Sequence, residues 1–209
     1  MSTLIEKALR TLKSDYVTAS ELSALFQISE NARHAQIKRA LAQGILVRLK
    51  RGLYRRSGYL EKSKSHPFET SGFLYWPSYV SLESALSFHG LIPEAIYTTT
   101  CVTTQRPKII VNPLGRFEYK YLPHNNFFIG VERVEEGTSV YFIANPWKAI
   151  CDYIYCYKKN WVSIKPLLTS LRIEPDDLPT LTKDVSQKLS DYYDCKRINE
   201  FLIGALNEC

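Results

Sequence analysis

Apolar residues recur at helical spacing from the start of the chain. Leu4, Ala8, Leu9 and Leu12 predict a first helix over residues 3–13, which Asp15-Tyr16-Val17 breaks. The segment TASELSALF places Leu22, Leu25 and Phe26 on one face, with Thr18 or Ser20 at the cap position, and predicts a second short helix. Gln27-Ile28-Ser29 forms a turn, and Ser29 caps a third helix over residues 30–43 that Gly44 terminates. Two extended segments, Leu46–Leu49 and Leu53–Arg55, then flank Lys50-Arg51-Gly52, where Gly52 supplies the positive φ of a tight hairpin. Three short helices followed by a hairpin predict a winged helix-turn-helix over residues 1–56.

Residues 57–70, SGYLEKSKSHPFET, are polar and aperiodic and predict a linker. Beyond it the pattern predicts an α/β domain over residues 71–209. Its first helix starts at the cap Ser81, ends at Gly90, and turns Leu82, Ala85, Leu86 and His89 inward. Strand-like runs follow at Ile96–Thr103, Lys108–Val111, Phe117–Leu122, Phe127–Val134 and Ser139–Ile143. Most of them alternate, which predicts a mainly antiparallel sheet with one covered face. Asn145-Pro146 is a cap followed by proline at the first helical position, opening a helix with Trp147, Ile150, Cys151 and Ile154 on its inner face. From about residue 159 the chain is helical to its end. Ile198, Phe201, Leu202, Ala205 and Leu206 form the last amphipathic stripe, with Asp194 as its expected cap. The overall class is therefore α+β.

Charge changes this picture by dividing the chain. Residues 1–65 hold 13 Lys+Arg against 5 Asp+Glu, a net of +8, whereas residues 66–209 hold 14 against 16, a net of −2. The positive excess points to a polyanionic partner for the N-terminal part alone. Within LVRLKRGLYRR, Leu46, Leu49, Leu53 and Tyr54 would pin the hairpin to the helices and hold its cations at phosphate distance. On the third helix, Ile37 and Leu41 share one side with His34 nearby, and Asn31, Ala35, Lys38, Arg39 and Ala42 gather opposite. Small alanines beside long polar side chains suit a helix lying close to a groove floor. The candidate DNA-binding residues are thus Asn31, Arg33, Lys38 and Arg39 on the helix, with Arg48, Lys50, Arg51 and Arg55 on the hairpin. Double-stranded DNA is the expected partner.

Composition narrows the remaining classes. Five scattered cysteines without a CxxC, and four dispersed histidines, predict reduced thiols and neither a zinc site nor a disulfide framework. No apolar run of spanning length and no signal-peptide core occur, so a soluble, cytoplasmic protein that does not enter a membrane is expected. Glu118-x-Lys120 resembles half of a metal-dependent nuclease site, but no Asp occurs between Ser57 and Tyr119 to complete it. Phosphate-loop and nucleophile-elbow motifs are absent. Lys148 and Asp152, four apart on one helix, have the spacing of a surface ion pair. No catalytic residue, metal or cofactor is expected.

Three blocks carry a family resemblance. QGILVRLKRGLY resembles the end of the winged helix in AbiEi-type antitoxins, the regulator half of abortive-infection toxin–antitoxin pairs. SYVSLESALSFHGLIPEAIYTTT resembles that family's next block, a helix ending in HGL or YGL before a threonine-rich strand. YFIANPWKAICDYIY resembles its later A-x-P-x-K-A-x-x-D element, here Ala144, Pro146, Lys148, Ala149 and Asp152. The blocks follow the family's order between Val17 and Tyr157. The resemblance implies a bacterial transcriptional autoregulator that binds inverted repeats upstream of its own operon. It also implies a second domain that opposes a nucleotidyltransferase-type toxin in the type IV manner. The alternative left open by the residues is a transcription factor whose second domain binds a ligand or dimerises without antitoxin activity.

Overall fold

A computed structural model describes residues 4–12, 14–26, 29–57, 66–93, 97–123 and 125–208. The expected turn at Gln27-Ile28 and most of the expected linker lie outside them. The class is α+β with a mixed strand arrangement. The chain divides into two compact units, Met1–His66 with Val111–Leu114, and Pro67–Ile110 with Gly115–Cys209.

The first unit runs α1 (Leu4–Thr11), β1 (Tyr16–Thr18), α2 (Ala19–Phe26), α3 (Glu30–Ala42), β2 (Leu46–Lys50) and β3 (Leu53–Arg56). Tyr16 and Val17 do more than break the first helix, because β1 joins the hairpin to make an antiparallel sheet of order β1-β3-β2. Thr18 closes a capping box at the start of α2. Its Oγ1 accepts from the Glu21 N–H at 3.2 Å, and the Glu21 carboxylate accepts from the Thr18 N–H at 2.7 Å. Ser29 Oγ accepts from the Ala32 N–H, as its cap position requires. Ile5, Leu9, Val17, Leu22, Ile37, Ala40 and Leu46 form the core, with Tyr54 packed against it. His34 departs from the expectation and is exposed.

A bulge sets the facing of the hairpin. Arg48 pairs with Tyr54 and Lys50 with Leu53, so Leu49 is an extra residue on β2. Simple alternation would send Leu46 and Leu49 to opposite faces. The bulge lets both be buried while Arg48 and Lys50 stay exposed. Gly52 has φ +76, the left-handed conformation expected of it, and its carbonyl accepts from the Ala19 N–H at the start of α2.

The second unit begins earlier than the sequence suggests. α4 (Pro67–Leu74) begins inside the expected linker. Its buried residues are Thr70, Ser71 and Leu74, so apolar periodicity could not mark it. β4 (Ser78–Val80), α5 (Leu82–Phe88), β5 (Thr98–Thr103), β6 (Lys108–Asn112), β7 (Gly115–Tyr121), β8 (Val131–Glu136) and β9 (Ser139–Ala144) follow. The helices α6 (Pro146–Cys156), α7 (Ile164–Leu171), α8 (Lys183–Tyr193) and α9 (Lys196–Glu208) complete the unit.

The sheet has the order β6-β7-β5-β4-β9-β8. It is mixed: β5–β7 and β4–β9 are parallel, whereas β4–β5 and β8–β9 are antiparallel. Alternation shows which face of a strand is covered and carries no information on strand direction. The strand expected from Phe127 starts only at Val131, because residues 127–130 turn. Asn145 caps α6 as expected, its Oδ1 accepting from the Lys148 N–H at 2.8 Å. Asp194 does not cap α9; it ends α8 with φ 41.

Candidate functional site

α3 presents an exposed stripe of the residues the helical wheel selects: Asn31, Ala35, Lys38, Arg39 and Ala42. Ile37 and Ala40 anchor the opposite side in the core. On the hairpin of the same unit, Arg48, Lys50 and Arg51 are exposed, while Leu46, Leu49 and Leu53 are buried. Each buried leucine contributes roughly 1.5–3 kcal/mol, enough to fix the ribbon beneath those charges.

Two arginines of the expected set face elsewhere. Arg55 is 7% exposed, and its guanidinium lies 3.7 Å from the Asp15 carboxylate. Its neighbour Arg56 is equally buried. Arg56 donates to Asp15 Oδ1 at 2.8 Å and, through Nη1, to the carbonyl of Leu9 at the end of α1. The strand β3 is central in its sheet, and the two buried arginines share the Asp15 carboxylate. Arg33 is drawn inward as well: it donates to Ser23 Oγ at 2.5 Å, lies 3.5 Å from Glu30, and keeps a side-chain exposure of 19%. Arg55 is therefore a structural cation and not part of an accessible interface, and Arg33 braces α3 against α2.

The second unit holds a polar site that sequence spacing misplaces. Lys148 and Asp152 are not a surface pair; both have side-chain exposures of 0%. Lys148 Nζ donates to Asp152 Oδ1 at 2.6 Å, to Tyr79 Oη at 2.6 Å and to Tyr193 Oη at 2.9 Å, which uses all three of its N–H bonds. Asp152 Oδ1 also accepts from Tyr193 at 2.5 Å, and Oδ2 accepts from Ser81 at 2.7 Å and Tyr79 at 3.0 Å. The Tyr192 ring stands 4.6 Å from the ammonium. Burial lowers the Lys148 pKa and the Asp152 carboxylate opposes that shift. Burial, then the Asp152 charge, pushes the Tyr79 and Tyr193 phenols well above their ordinary range.

This network joins β4, α5, α6 and α8. With every donor of the ammonium used and both side chains buried, it holds these elements together. Ser81 makes no cap hydrogen bond to α5, and its hydroxyl donates to Asp152 instead. Thr100 serves the same junction, donating to the Ser81 carbonyl and accepting from the Ser84 N–H. A signal was present in WKAICDYI, where Trp147, Ala149, Ile150, Cys151 and Ile154 leave no polar face for the charges to occupy.

The remaining candidates are structural. Glu118 and Lys120 pair at 2.6 Å, with Phe117 and Tyr119 buried and Tyr121 exposed. His89 donates from Nε2 to the Ala144 carbonyl at 2.8 Å, tying the end of α5 to the end of β9. Among the described residues, no three His, Cys, Asp or Glu side chains are grouped to hold a metal, and no helix is long and apolar enough to cross a membrane. No family model matches the chain, and no curated protein is similar to it at a significant level.

Proposed function

We propose that the chain is a DNA-binding transcriptional autoregulator whose first unit is a winged helix-turn-helix. In this reading α3 enters the major groove, and the β2–β3 hairpin is the wing that follows the phosphate backbone. The observation that carries it is the exposed stripe of Asn31, Ala35, Lys38, Arg39 and Ala42 on α3, in the same unit as the exposed Arg48, Lys50 and Arg51. Lys38, Arg48, Lys50 and Arg51 supply phosphate contacts; Asn31 and Arg39 are the side chains chosen for base edges. Arg33, Arg55 and Arg56 support the scaffold. The net charge of +8 over residues 1–65 agrees with a polyanion partner for this unit.

The second unit, in the same proposal, opposes a nucleotidyltransferase-type toxin encoded beside it. Support for that half is the ordered resemblance to AbiEi-type antitoxins, whose last block coincides with the buried Lys148–Asp152 network. The test is a pair of assays: binding to the upstream fragment of the chain's own operon, and rescue of growth when the adjacent toxin is expressed. Binding with rescue supports both halves. Binding without rescue limits the chain to repression, and absence of binding refutes the DNA reading.

A further inference from the structure

The second unit contains a cleft of about 380 Å³ between α4 and the strands β4 and β9. That volume lies within the roughly 300–1,000 Å³ of small-molecule sites. Its walls are aromatic, with Phe68, Phe73, Trp76, Tyr141 and Phe142 among them. Trp76 is 58% exposed and Phe73 44% exposed, a large apolar surface for water to wet.

One buried polar group in this cleft lacks the partner its burial calls for, and a second has acceptor capacity to spare. Ser78 is 2% exposed, yet its hydroxyl makes no hydrogen bond. A buried hydroxyl left in that state is costly unless a ligand completes it. Glu69 accepts from Ser139 Oγ and from the Val140 N–H, each at 3.3 Å, and no cation pairs with it among the described residues. A carboxylate has about four acceptor positions, so Glu69 retains capacity for a donor on a ligand.

We propose that this cleft binds a planar aromatic small molecule carrying a cationic or N–H donor group. The ring fills the aromatic walls, the donor group pairs with Glu69, and Ser78 Oγ makes the remaining polar contact. The proposal concerns the second unit alone and does not depend on DNA binding.

Three matched probes test it on the full chain: benzamidine, the neutral benzamide and the anionic benzoate. Heteronuclear NMR follows the indole N–H of Trp76, assigned with the Trp76→Phe variant. The expected result is a saturable benzamidine shift with affinity about tenfold above benzamide, the difference between a charge-assisted and a neutral hydrogen bond, and no benzoate binding. Glu69→Gln should reduce benzamidine to the level of benzamide, with an unchanged melting temperature showing that the fold is retained. Equal affinity for benzamidine and benzoate, retention of the preference in Glu69→Gln, or no Trp76 shift with any probe up to its solubility would each overturn the proposal.

Discussion

Lys148 Nζ lies 2.6 Å from Asp152 Oδ1, and neither side chain reaches solvent. A pair of this kind stabilises a fold only while both members are present. Removing one leaves a buried charge uncompensated, at a cost of about 3–5 kcal/mol, whereas replacing both by apolar residues of similar volume is close to neutral. We therefore expect Lys148→Met or Asp152→Leu alone to unfold the second unit at much lower urea. The double variant should recover part of the loss, the remainder being the hydroxyls of Tyr79, Ser81 and Tyr193 that lose their partners. Additive single losses, measured by chemical denaturation, would show that the two residues act independently.

The Arg56–Asp15 pair should behave as structure and not as a DNA contact. Arg56→Ala removes the donor to Asp15 and one of the two donors to the Leu9 carbonyl, and should cost about 2–3 kcal/mol. Its effect on the salt dependence of DNA binding should be negligible at temperatures where the unit stays folded. A lower melting temperature with an unchanged salt slope is the expected pair of results.

Gly204 on α9 faces the backbone of residues 162 and 163 so closely that an added Cβ would lie 1.8 Å from the Val162 carbonyl oxygen. Backbone cannot yield as a flexible side chain does. Gly204→Ala should cost about 3 kcal/mol, although alanine is the better helix former. Ile203→Ala, at a position 62% exposed, should change stability by less than about 0.5 kcal/mol. Thermal melts of the two variants check the contrast.

The buried thiols predict how stability depends on alkaline pH. Burial pushes Cys101 up to about 12 from an ordinary value of 9.0, and Cys156 likewise to about 12. Between those values the unfolded chain releases thiol protons that the folded chain retains. The stability these groups contribute is thus complete below pH 9 and is lost as pH rises toward 12. Each thiol lowers the unfolding free energy by at most about 1.4 kcal/mol per pH unit in that window. Urea midpoints at pH 8.5 and pH 10 (chosen to straddle about 9) should fall accordingly, and Cys101→Ala should shrink the difference.

Local order was legible in this sequence wherever a short stretch decides it. The Ser29 and Asn145 caps, the bend at Gly52 and the exposed face of α3 follow from neighbouring residues, and the structure places them as expected. What escaped depends on residues far apart. Arg55 and Arg56 turn inward because Asp15, forty or more positions away, lies beside their strand. The bulge at Leu49 decides which cations stay outside, and alternation does not reveal it. Spacing alone made Lys148 and Asp152 look like a surface pair; Tyr79, Ser81 and Tyr193, from three other elements, make their burial possible. Strand direction in the mixed sheet likewise depends on connections that periodicity does not encode.

The central claim is that Lys38, Arg39, Arg48, Lys50 and Arg51 form an accessible cationic surface for duplex DNA. The salt dependence of binding to the operon's upstream fragment, followed by fluorescence anisotropy, tests it most directly. If Lys38, Arg48, Lys50 and Arg51 each neutralise one phosphate, log K should fall against log salt with a slope of about −3.6, on the order of a hundred-and-fifty-fold loss between about 50 and about 200 mM. The joint change of Lys50 and Arg51 to alanine should flatten that slope by about two units. Undetectable binding, or a slope that the double variant leaves unchanged, would contradict the account.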